Sequence, residues 1–212
     1  VSRGLGDVYK RQVLDAESAL VSPLIVSGTH ALTLALFGIL RPDDILLSVT
    51  GDVYDTLNDV ISGNGNGSLK DFGIKFDKIE LCDGKINLSE IRKYLETTHP
   101  KLIYFQRSRG YSWRNALTID DFGNAVNVIK KISPDSLIMV DNCYGEFTEE
   151  CEPTVCGADI IAGSLIKNAG GGLAPTGGYI AGRKELVELA AKRLTTPVSY
   201  THLRAHETLS DL

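Results

Sequence analysis

Short apolar runs typical of buried strands alternate along this chain of 212 residues with longer segments that have the helical period. In one such segment Leu88, Ile91 and Leu95 fall on a single helix face. Strands that alternate with helices in sequence pack as a largely parallel sheet, because each helix carries the chain back to the same edge. We therefore expect an α/β fold in three layers, with a mostly parallel sheet and helices on both faces.

The apolar runs and the helical period also give the bounds of the predicted segments. We expect strands at residues 45–49, 76–81, 102–106, 136–140, 159–164 and 178–181. We expect helices at residues 29–40, 54–62, 88–97, 118–132 and 184–194. In open sheets of this kind ligands bind outside the carboxyl ends of the strands. Residues that directly follow the predicted strands are therefore the first candidates for a functional site.

A lysine and an aspartate follow two of the predicted strands. Lys167 lies in a glycine-rich turn after residues 159–164, and Asp141 follows residues 136–140. A lysine amine can form a Schiff base with pyridoxal 5'-phosphate, and an aspartate can keep the pyridine nitrogen of that cofactor protonated. The pair predicts a pyridoxal-phosphate site. Taken singly, Lys167 could be a solvated surface residue and Asp141 a turn or cap residue.

The start of the first predicted helix is suited to an anion such as the cofactor phosphate. Ser27, Gly28 and Thr29 open the helix, whose first N–H groups and dipole favour negative charge. Gly28 permits a close approach to the backbone, and the other two residues supply hydroxyls, although both could be simple helix caps. After the next strand, Tyr54 could stack on the cofactor ring or pack as an ordinary aromatic residue.

Four stretches occur in order, namely SGTHALTLALFGILRPDD, QRSRGYSWR, VDNCYGEF and SLIKNAGGGLAPTGGYIAGR. Together, over roughly residues 13–197, they resemble the methionine gamma-lyase-like family, also called the aluminium resistance family, of fold-type I pyridoxal-phosphate enzymes. The resemblance implies that Lys167 forms the Schiff base, that Asp141 pairs with the pyridinium and that Tyr54 stacks on the ring. It implies that the phosphate is held by Ser27, Gly28, Thr29 and Ser164.

The same resemblance implies a lyase that breaks a carbon–sulfur bond in an amino acid such as methionine or cystathionine. The alternatives are a transferase or aldolase on the same cofactor, and an inactive homologue that only binds pyridoxal phosphate. The resemblance also implies a small-molecule amino-acid substrate and a homodimer or homotetramer of the full-length protein. Since it ends before a C-terminal domain, we expect the chain by itself to be inactive.

Charge and cysteine content exclude several other classes of function. The net charge of −5 and the pI near 5.4 argue against nucleic acid and anionic membranes as partners. No apolar run approaches the roughly 20 residues that span a bilayer. The four cysteines have no Cys-x-x-Cys spacing, so we expect reduced thiols in a cytoplasmic protein and no metal site. Cys143, beside the predicted site, is expected to pack as a small buried residue.

Two further motifs have no certain role in the sequence. Arg107, Arg109 and Arg114 follow the strand at residues 102–106 among aromatic residues, and could contact cofactor or substrate or lie in a subunit interface. Residues 63–67, Gly-Asn-Gly-Asn-Gly, are expected to form a surface loop rather than a dinucleotide site, because they follow a helix and not a strand.

Both ends of the chain resemble translated adapter sequence. We expect residues 1–12 and 199–212 to be foreign, which leaves residues 13–198 as a cofactor-binding large domain truncated at both ends. His202 and His206 have the spacing of two metal ligands on a helix, but no third ligand accompanies them, so we expect no metal there.

Overall fold

A computed structural model describes residues 12–110 and 112–196. The strands are β1 (Ser18–Ser22), β2 (Ile45–Ser48), β3 (Lys75–Lys78), β4 (Leu102–Gln106), β5 (Leu137–Asp141), β6 (Ile160–Ser164) and β7 (Gly178–Gly182). The helices are α1 (Gly28–Ile39), α2 (Asp55–Ser62), α3 (Leu88–Leu95), α4 (Ile119–Ile132) and α5 (Lys184–Leu194). Short 3-10 turns lie at Lys70–Phe72 and Asn168–Gly170.

The strands form one seven-stranded sheet in the order β1-β7-β6-β5-β4-β2-β3. All pairings from β6 across to β3 are parallel. β7 runs antiparallel to both of its neighbours, β6 and β1. The expected α/β fold with a mostly parallel sheet is therefore confirmed.

Different helices cover the two faces of the sheet. α1, α2 and α5 pack on the face that carries Leu46, Tyr104 and Met139. α3 and α4 pack on the opposite face, with Leu47 and Ile103. Because side chains alternate along a strand, adjacent residues enter different cores, and both must be apolar. This double burial explains why the central strands are continuous apolar runs in the sequence, and it produces the three layers.

Two features of the sheet differ from the sequence prediction. β1 was not predicted, because its apolar run is only three residues long and does not alternate with polar residues. It is defined by its pairing with β7, in which Ser18 lies opposite Gly182. β7 is antiparallel because residues 165–177 contain the turn Asn168–Gly170 and no crossover helix, which a parallel return normally requires.

Several predicted bounds shift by one or a few residues. Tyr54 and Thr118 were predicted inside helices and instead cap the N-termini of α2 and α4. The Thr118 hydroxyl accepts a hydrogen bond from the Asp121 N–H at 3.1 Å, as expected for an N-cap residue. β3 ends at Lys78 rather than at residue 81, and α3 ends at Leu95 rather than at residue 97.

The topology brings three strand ends and one helix start together. Gln106 and Asp141, the last residues of β4 and β5, lie opposite each other, and β6 ends beside them at Ser164. The N-terminus of α1 lies against the end of β6. None of the described helices is long and apolar enough to cross a membrane.

Candidate active site

A cavity of about 820 Å³ opens at the carboxyl edge of the sheet, a volume within the usual range for small-molecule sites. We call it the site cavity. Every residue that the sequence predicted for the cofactor lines it: Ser27, Gly28, Thr29, Tyr54, Asp141, Ser164 and Lys167. The structure therefore brings these seven residues together, while their individual roles stay predictions.

The N-terminus of α1 provides hydroxyls and open N–H groups on one side of the site cavity. Ser27 caps the helix, and its Oγ accepts from the His30 N–H at 3.1 Å. The Thr29 Oγ1 lies 2.9 Å from the Tyr54 hydroxyl and 3.1 Å from the Thr56 Oγ1. Hydroxyls beside the start of a twelve-residue helix form a suitable anion site.

Gly28 is required where α1 meets the ends of β5 and β6. A Cβ on this residue would lie 3.0 Å from the Cys143 Sγ and 3.3 Å from the Ser164 Cβ. Both contacts are tighter than ordinary van der Waals packing. The absence of a side chain therefore lets the helix start approach the strand ends and keeps its first N–H groups accessible to a ligand.

Tyr54 lines the site cavity and also packs partly against the core. Its N–H donates to the Gln106 Oε1 at 3.2 Å, and its hydroxyl is bonded to Thr29. Burial raises the pKa of the Tyr54 phenol above its ordinary value, so the hydroxyl stays protonated near neutral pH. The hydroxyl is consequently a donor beside the predicted phosphate site, and stacking of the ring stays a prediction.

Asp141 is almost fully buried at the end of β5, with 2% of its surface exposed. Its Oδ1 accepts from the Cys143 N–H at 3.0 Å, and its Oδ2 accepts from the Tyr104 hydroxyl at 3.3 Å. Burial raises the pKa of the Asp141 carboxyl from 3.8 to about 6, although these hydrogen bonds and the charge of Lys167 oppose the shift. The ionised carboxylate would be stabilised by a cationic N–H donor.

Cys143 is a hydrogen-bonding neighbour of Asp141 as well as a packing residue. Its N–H donates to the Asp141 carboxyl, and its thiol lies close to the same carboxyl. Burial raises the pKa of this thiol well above its ordinary value, so it stays protonated. The packing role expected from the sequence is therefore incomplete, since the backbone of this residue also orients the carboxyl.

Lys167 follows β6 and the buried Ser164 and directly precedes the turn Asn168–Gly170. Its Nζ lies 2.5 Å from the Tyr144 hydroxyl and 4.4 Å from the centroid of that tyrosine's ring. The Ser164 Oγ accepts from the Ile166 N–H at 3.3 Å, which orders the chain just before the lysine. The amine is thus positioned in the site cavity by the loop after β5.

Arg107 has a structural role that the sequence left open. It is 2% exposed, and its NH1 donates to the Asn142 Oδ1 and the Gly145 O, both at 2.8 Å. Its NH2 forms an ion pair of 2.5 Å with Glu149. All of these partners lie in the loop after β5, so the guanidinium holds that loop against β4.

The other two arginines of the motif, Arg114 and Arg109, differ in the contacts that they make. Arg114 donates from NH2 to the Gln106 O at 3.0 Å and the Ser108 O at 2.6 Å, which closes the loop after β4. Burial lowers the pKa of Arg114 from its ordinary value. Arg109 is exposed and lines the site cavity. Of the three, Arg109 is therefore the one with its side chain at the cavity surface and exposed to solvent.

A second buried acid lies behind the site. Glu146 is 1% exposed, its Oε1 accepts from the Tyr179 hydroxyl at 2.9 Å, and its Oε2 has no hydrogen-bond partner among the described residues. Burial raises the pKa of Glu146 from 4.5 to about 7, with nearby Asp141 adding to the shift. The Glu152 carboxylate bonds to Asn142 and to a backbone N–H in the same loop.

Sequence reasoning missed four residues of the site: Thr56, Gln106, Cys143 as a partner of Asp141, and Tyr144. Gln106 ends β4, so the rule that ligands bind at carboxyl edges could have identified it. Among the described residues no cluster of three or more metal-ligating side chains occurs. The histidine pair at His202 and His206, like the ends at residues 1–11 and 197–212, lies outside the described residues.

The sheet, with an antiparallel strand next to the strand that precedes the lysine, has the fold of fold-type I pyridoxal-phosphate enzymes. The pyridoxal-5'-phosphate dependent protein YhfS from Escherichia coli shares the fold at 17% identity, with a TM-score of 0.65 over 86% of this chain and 45% of YhfS. The family model of methionine gamma-lyase matches residues 3–203. The chain belongs to the methionine gamma-lyase family, which confirms the resemblance seen in the sequence.

Closer relatives are about half identical to this chain over the aligned residues. The carbon-sulfur lyase involved in aluminum resistance from Clostridium novyi NT is 52% identical, with a TM-score of 0.85 over 90% of this chain and 46% of that protein. YnbB from Bacillus subtilis (strain 168) is 46% identical over 189 residues, which are 87% of this chain and 45% of YnbB. The chain thus spans about half the length of the relatives it matches. The family match overlaps the predicted foreign ends, whose origin stays a prediction.

Proposed function

We propose that this chain is the cofactor-binding part of a pyridoxal-phosphate-dependent lyase that breaks the carbon–sulfur bond of an amino acid such as methionine or cystathionine. The observation that carries the proposal is the convergence of Lys167, Asp141 and the N-terminus of α1 on one cavity. The relatives support the reaction type, since the Clostridium novyi protein is a carbon-sulfur lyase by its description. A Clostridium acetobutylicum protein, 47% identical, is a candidate cystathionine beta-lyase.

The polar groups of the site cavity match the three reactive parts of pyridoxal phosphate. The Lys167 amine matches the aldehyde, the Asp141 carboxyl matches the pyridine nitrogen, and the start of α1 with Ser27 and Thr29 matches the phosphate. Burial outweighs the hydrogen bonds and the charge of Lys167 and raises the pKa of the Asp141 carboxyl to about 6. A pyridinium N–H would be a cationic partner for this carboxyl and would favour the ionised carboxylate.

When bound, pyridoxal phosphate supplies the electron sink for a carbanion at the substrate α-carbon. In this proposal the Lys167 amine accepts the α-proton and returns a proton later in the reaction. Asp141 keeps the pyridine nitrogen protonated, and Tyr104 and Cys143 orient its two oxygens. The thiol leaves with the electron pair of the carbon–sulfur bond. These residues therefore hold and move protons at defined atoms.

The experiment compares Lys167→Ala with Lys101→Ala, whose lysine is exposed at the opposite edge of the sheet. Both variants are loaded with pyridoxal phosphate and their visible spectra recorded, and full-length versions are assayed for keto acid from methionine and cystathionine. Loss of the bound-cofactor absorbance and of keto acid in Lys167→Ala alone is expected. Equal behaviour of the two variants would contradict the role of Lys167.

The same assay separates the alternatives. A lyase takes up water and releases a keto acid, ammonia and a thiol from a sulfur amino acid. A transferase or aldolase of the same family would consume amino acids without that set of products. An inactive homologue would keep the cofactor absorbance of the parent and release no keto acid from any amino acid.

A further inference from the structure

Tyr144 contacts the Lys167 amine through its hydroxyl. Its hydroxyl lies 2.5 Å from the lysine Nζ, and the Nζ lies 4.4 Å from the centroid of its ring. We propose that Tyr144 is a positioning residue that holds the Lys167 amine in the site cavity while the amine is not bonded to the cofactor. This inference rests on the proposed function, in which Lys167 carries the cofactor.

The hydroxyl contact works for either protonation state of the amine. The tyrosine oxygen accepts a hydrogen bond from an ammonium, and the hydroxyl donates one to the lone pair of a neutral amine. Tyr144 therefore offers the amine a defined place both before and after it takes up a proton.

The backbone of Tyr144 is in an uncommon conformation. Its φ is +66°, in the left-handed region that L-residues other than glycine and asparagine seldom adopt. Such residues persist only where the surroundings impose the conformation, and they cluster at active sites. With 57% of its surface exposed, the side chain is not held there by burial in the core. The fold of the loop after β5, rather than packing of the side chain in the core, therefore imposes the conformation.

Arg107 fixes the loop after β5, which carries Tyr144. The guanidinium donates to the Asn142 side chain and to the Gly145 carbonyl, the residues that flank Cys143 and Tyr144. A Cβ on Gly145 would lie 2.6 Å from the Arg107 NH1, so the loop packs directly on the guanidinium. The buried arginine thereby imposes the turn that presents Tyr144.

The loops that carry the two residues are also joined directly. The Asn168 Nδ2 donates to the Glu146 O at 3.1 Å. Asn168 follows Lys167, and Glu146 lies two residues after Tyr144. This bond fixes the spacing of the two loops independently of the tyrosine–lysine contact, so the contact is built into the site rather than formed by two mobile side chains.

The test measures amine reactivity in the cofactor-free chain of 212 residues. Trace acetylation with acetic anhydride, followed by peptide mapping, gives the rate at each lysine. The hydroxyl lowers reactivity in both states, because it stabilises the ammonium and occupies the lone pair of the neutral amine. Tyr144→Phe should therefore raise the Lys167 rate about two- to fivefold, as expected for one lost hydrogen bond. Tyr144→Leu, which removes the same hydroxyl, should raise it at least as much.

Tyr94→Phe is the matched control, because it also removes a tyrosine hydroxyl, one that bonds to Asp77 at 2.5 Å on another part of the sheet. It should leave the Lys167 rate unchanged. A purely structural Tyr144 would give the same Lys167 rate in the phenylalanine variant as in the parent, and that result would overturn the proposal. A rise shared by Lys101 and Lys130 would indicate general loosening and would also overturn it. Failure of the proposed function appears separately, as cofactor absorbance that survives Lys167→Ala.

Discussion

At the scale of single residues, the site and its surroundings contain buried carboxyls, and burial destabilises their ionised forms when no ligand compensates the charge. Asp141 and Glu146 are both buried, and burial raises their pKa values to about 6 and about 7. A carboxyl with a raised folded-state pKa contributes stability that is complete at acid pH and is lost as the pH rises through that value. The cofactor-free chain should therefore lose stability between about pH 4 and 7.

Replacing Asp141 by asparagine should remove the part of this pH-dependent loss of stability that Asp141 causes. The shift from 3.8 to about 6 corresponds to about 2–3 kcal/mol at pH 8, since each pKa unit is worth about 1.4 kcal/mol. Asp141→Asn should therefore melt at a higher temperature than the parent at pH 8 and at nearly the same temperature at pH 4. Asp135→Asn, at an exposed aspartate, is the control. Equal melting temperatures of Asp141→Asn and the parent at pH 8 would contradict the conclusion that burial destabilises the ionised Asp141 carboxylate.

The same variant should lose activity in the full-length protein loaded with cofactor. An amide can bond to the pyridine nitrogen but cannot hold it protonated, so the electron sink is weaker. We expect a sharp fall in kcat with cofactor binding largely retained, measured as keto acid release. A kcat equal to that of the parent would reduce Asp141 to a structural turn residue.

At the scale of elements, the N-terminus of α1 depends on a close approach that only glycine permits. Gly28→Ala places a Cβ 3.0 Å from the Cys143 Sγ and should cost about 1–3 kcal/mol. Gly123→Ala in α4 is the matched control, because its Cβ would meet Cys156 at an ordinary 3.7 Å. That change should stabilise the chain by up to about 1 kcal/mol through helix propensity.

The two glycine variants are compared by chemical denaturation, and Cys143→Ala is combined with Gly28→Ala. Removing the thiol should recover part of the lost stability, since it clears the nearest atom. If Gly28→Ala stabilised the chain as Gly123→Ala does, α1 would not be held tightly against the strand ends.

Much of this arrangement was predictable from local patterns. The central strands were found because both of their faces are buried, and Asp141, Ser164 and Lys167 because they follow those strands or match the family motifs. The direction of β7 depends on what lies between it and β6, and β1 is defined only by pairing with β7. The hydrogen bonds of Arg107 with the loop after β5 join residues that lie 35 to 42 positions apart in the chain. Local sequence patterns carry no information about contacts over that separation.

At the scale of the whole molecule, the chain brings the residues proposed for the cofactor to one cavity and spans about half the length of its relatives. Arg107 and Arg114 are engaged within the chain, so neither is available to orient a substrate carboxylate. Tyr144, beside the reactive amine, is 57% exposed, so water reaches this part of the site. Homo-oligomerisation of the full-length protein stays a prediction.

We accordingly expect the chain alone to bind pyridoxal phosphate but to release keto acid several orders of magnitude more slowly than a full-length version, because substrate positioning is incomplete. Steady-state assays of both proteins with methionine and cystathionine measure the ratio. Comparable turnover would show that the groups described for this chain suffice for the reaction.

The most direct test of the central claim is to identify the residue that bonds the cofactor. The chain is incubated with pyridoxal phosphate, reduced with borohydride and digested, and the peptide that carries the pyridoxyl group is sequenced by mass spectrometry. The account predicts a single stoichiometric modification at Lys167, between Ile166 and Asn168. Modification of another lysine, or diffuse labelling without a preferred site, would contradict it.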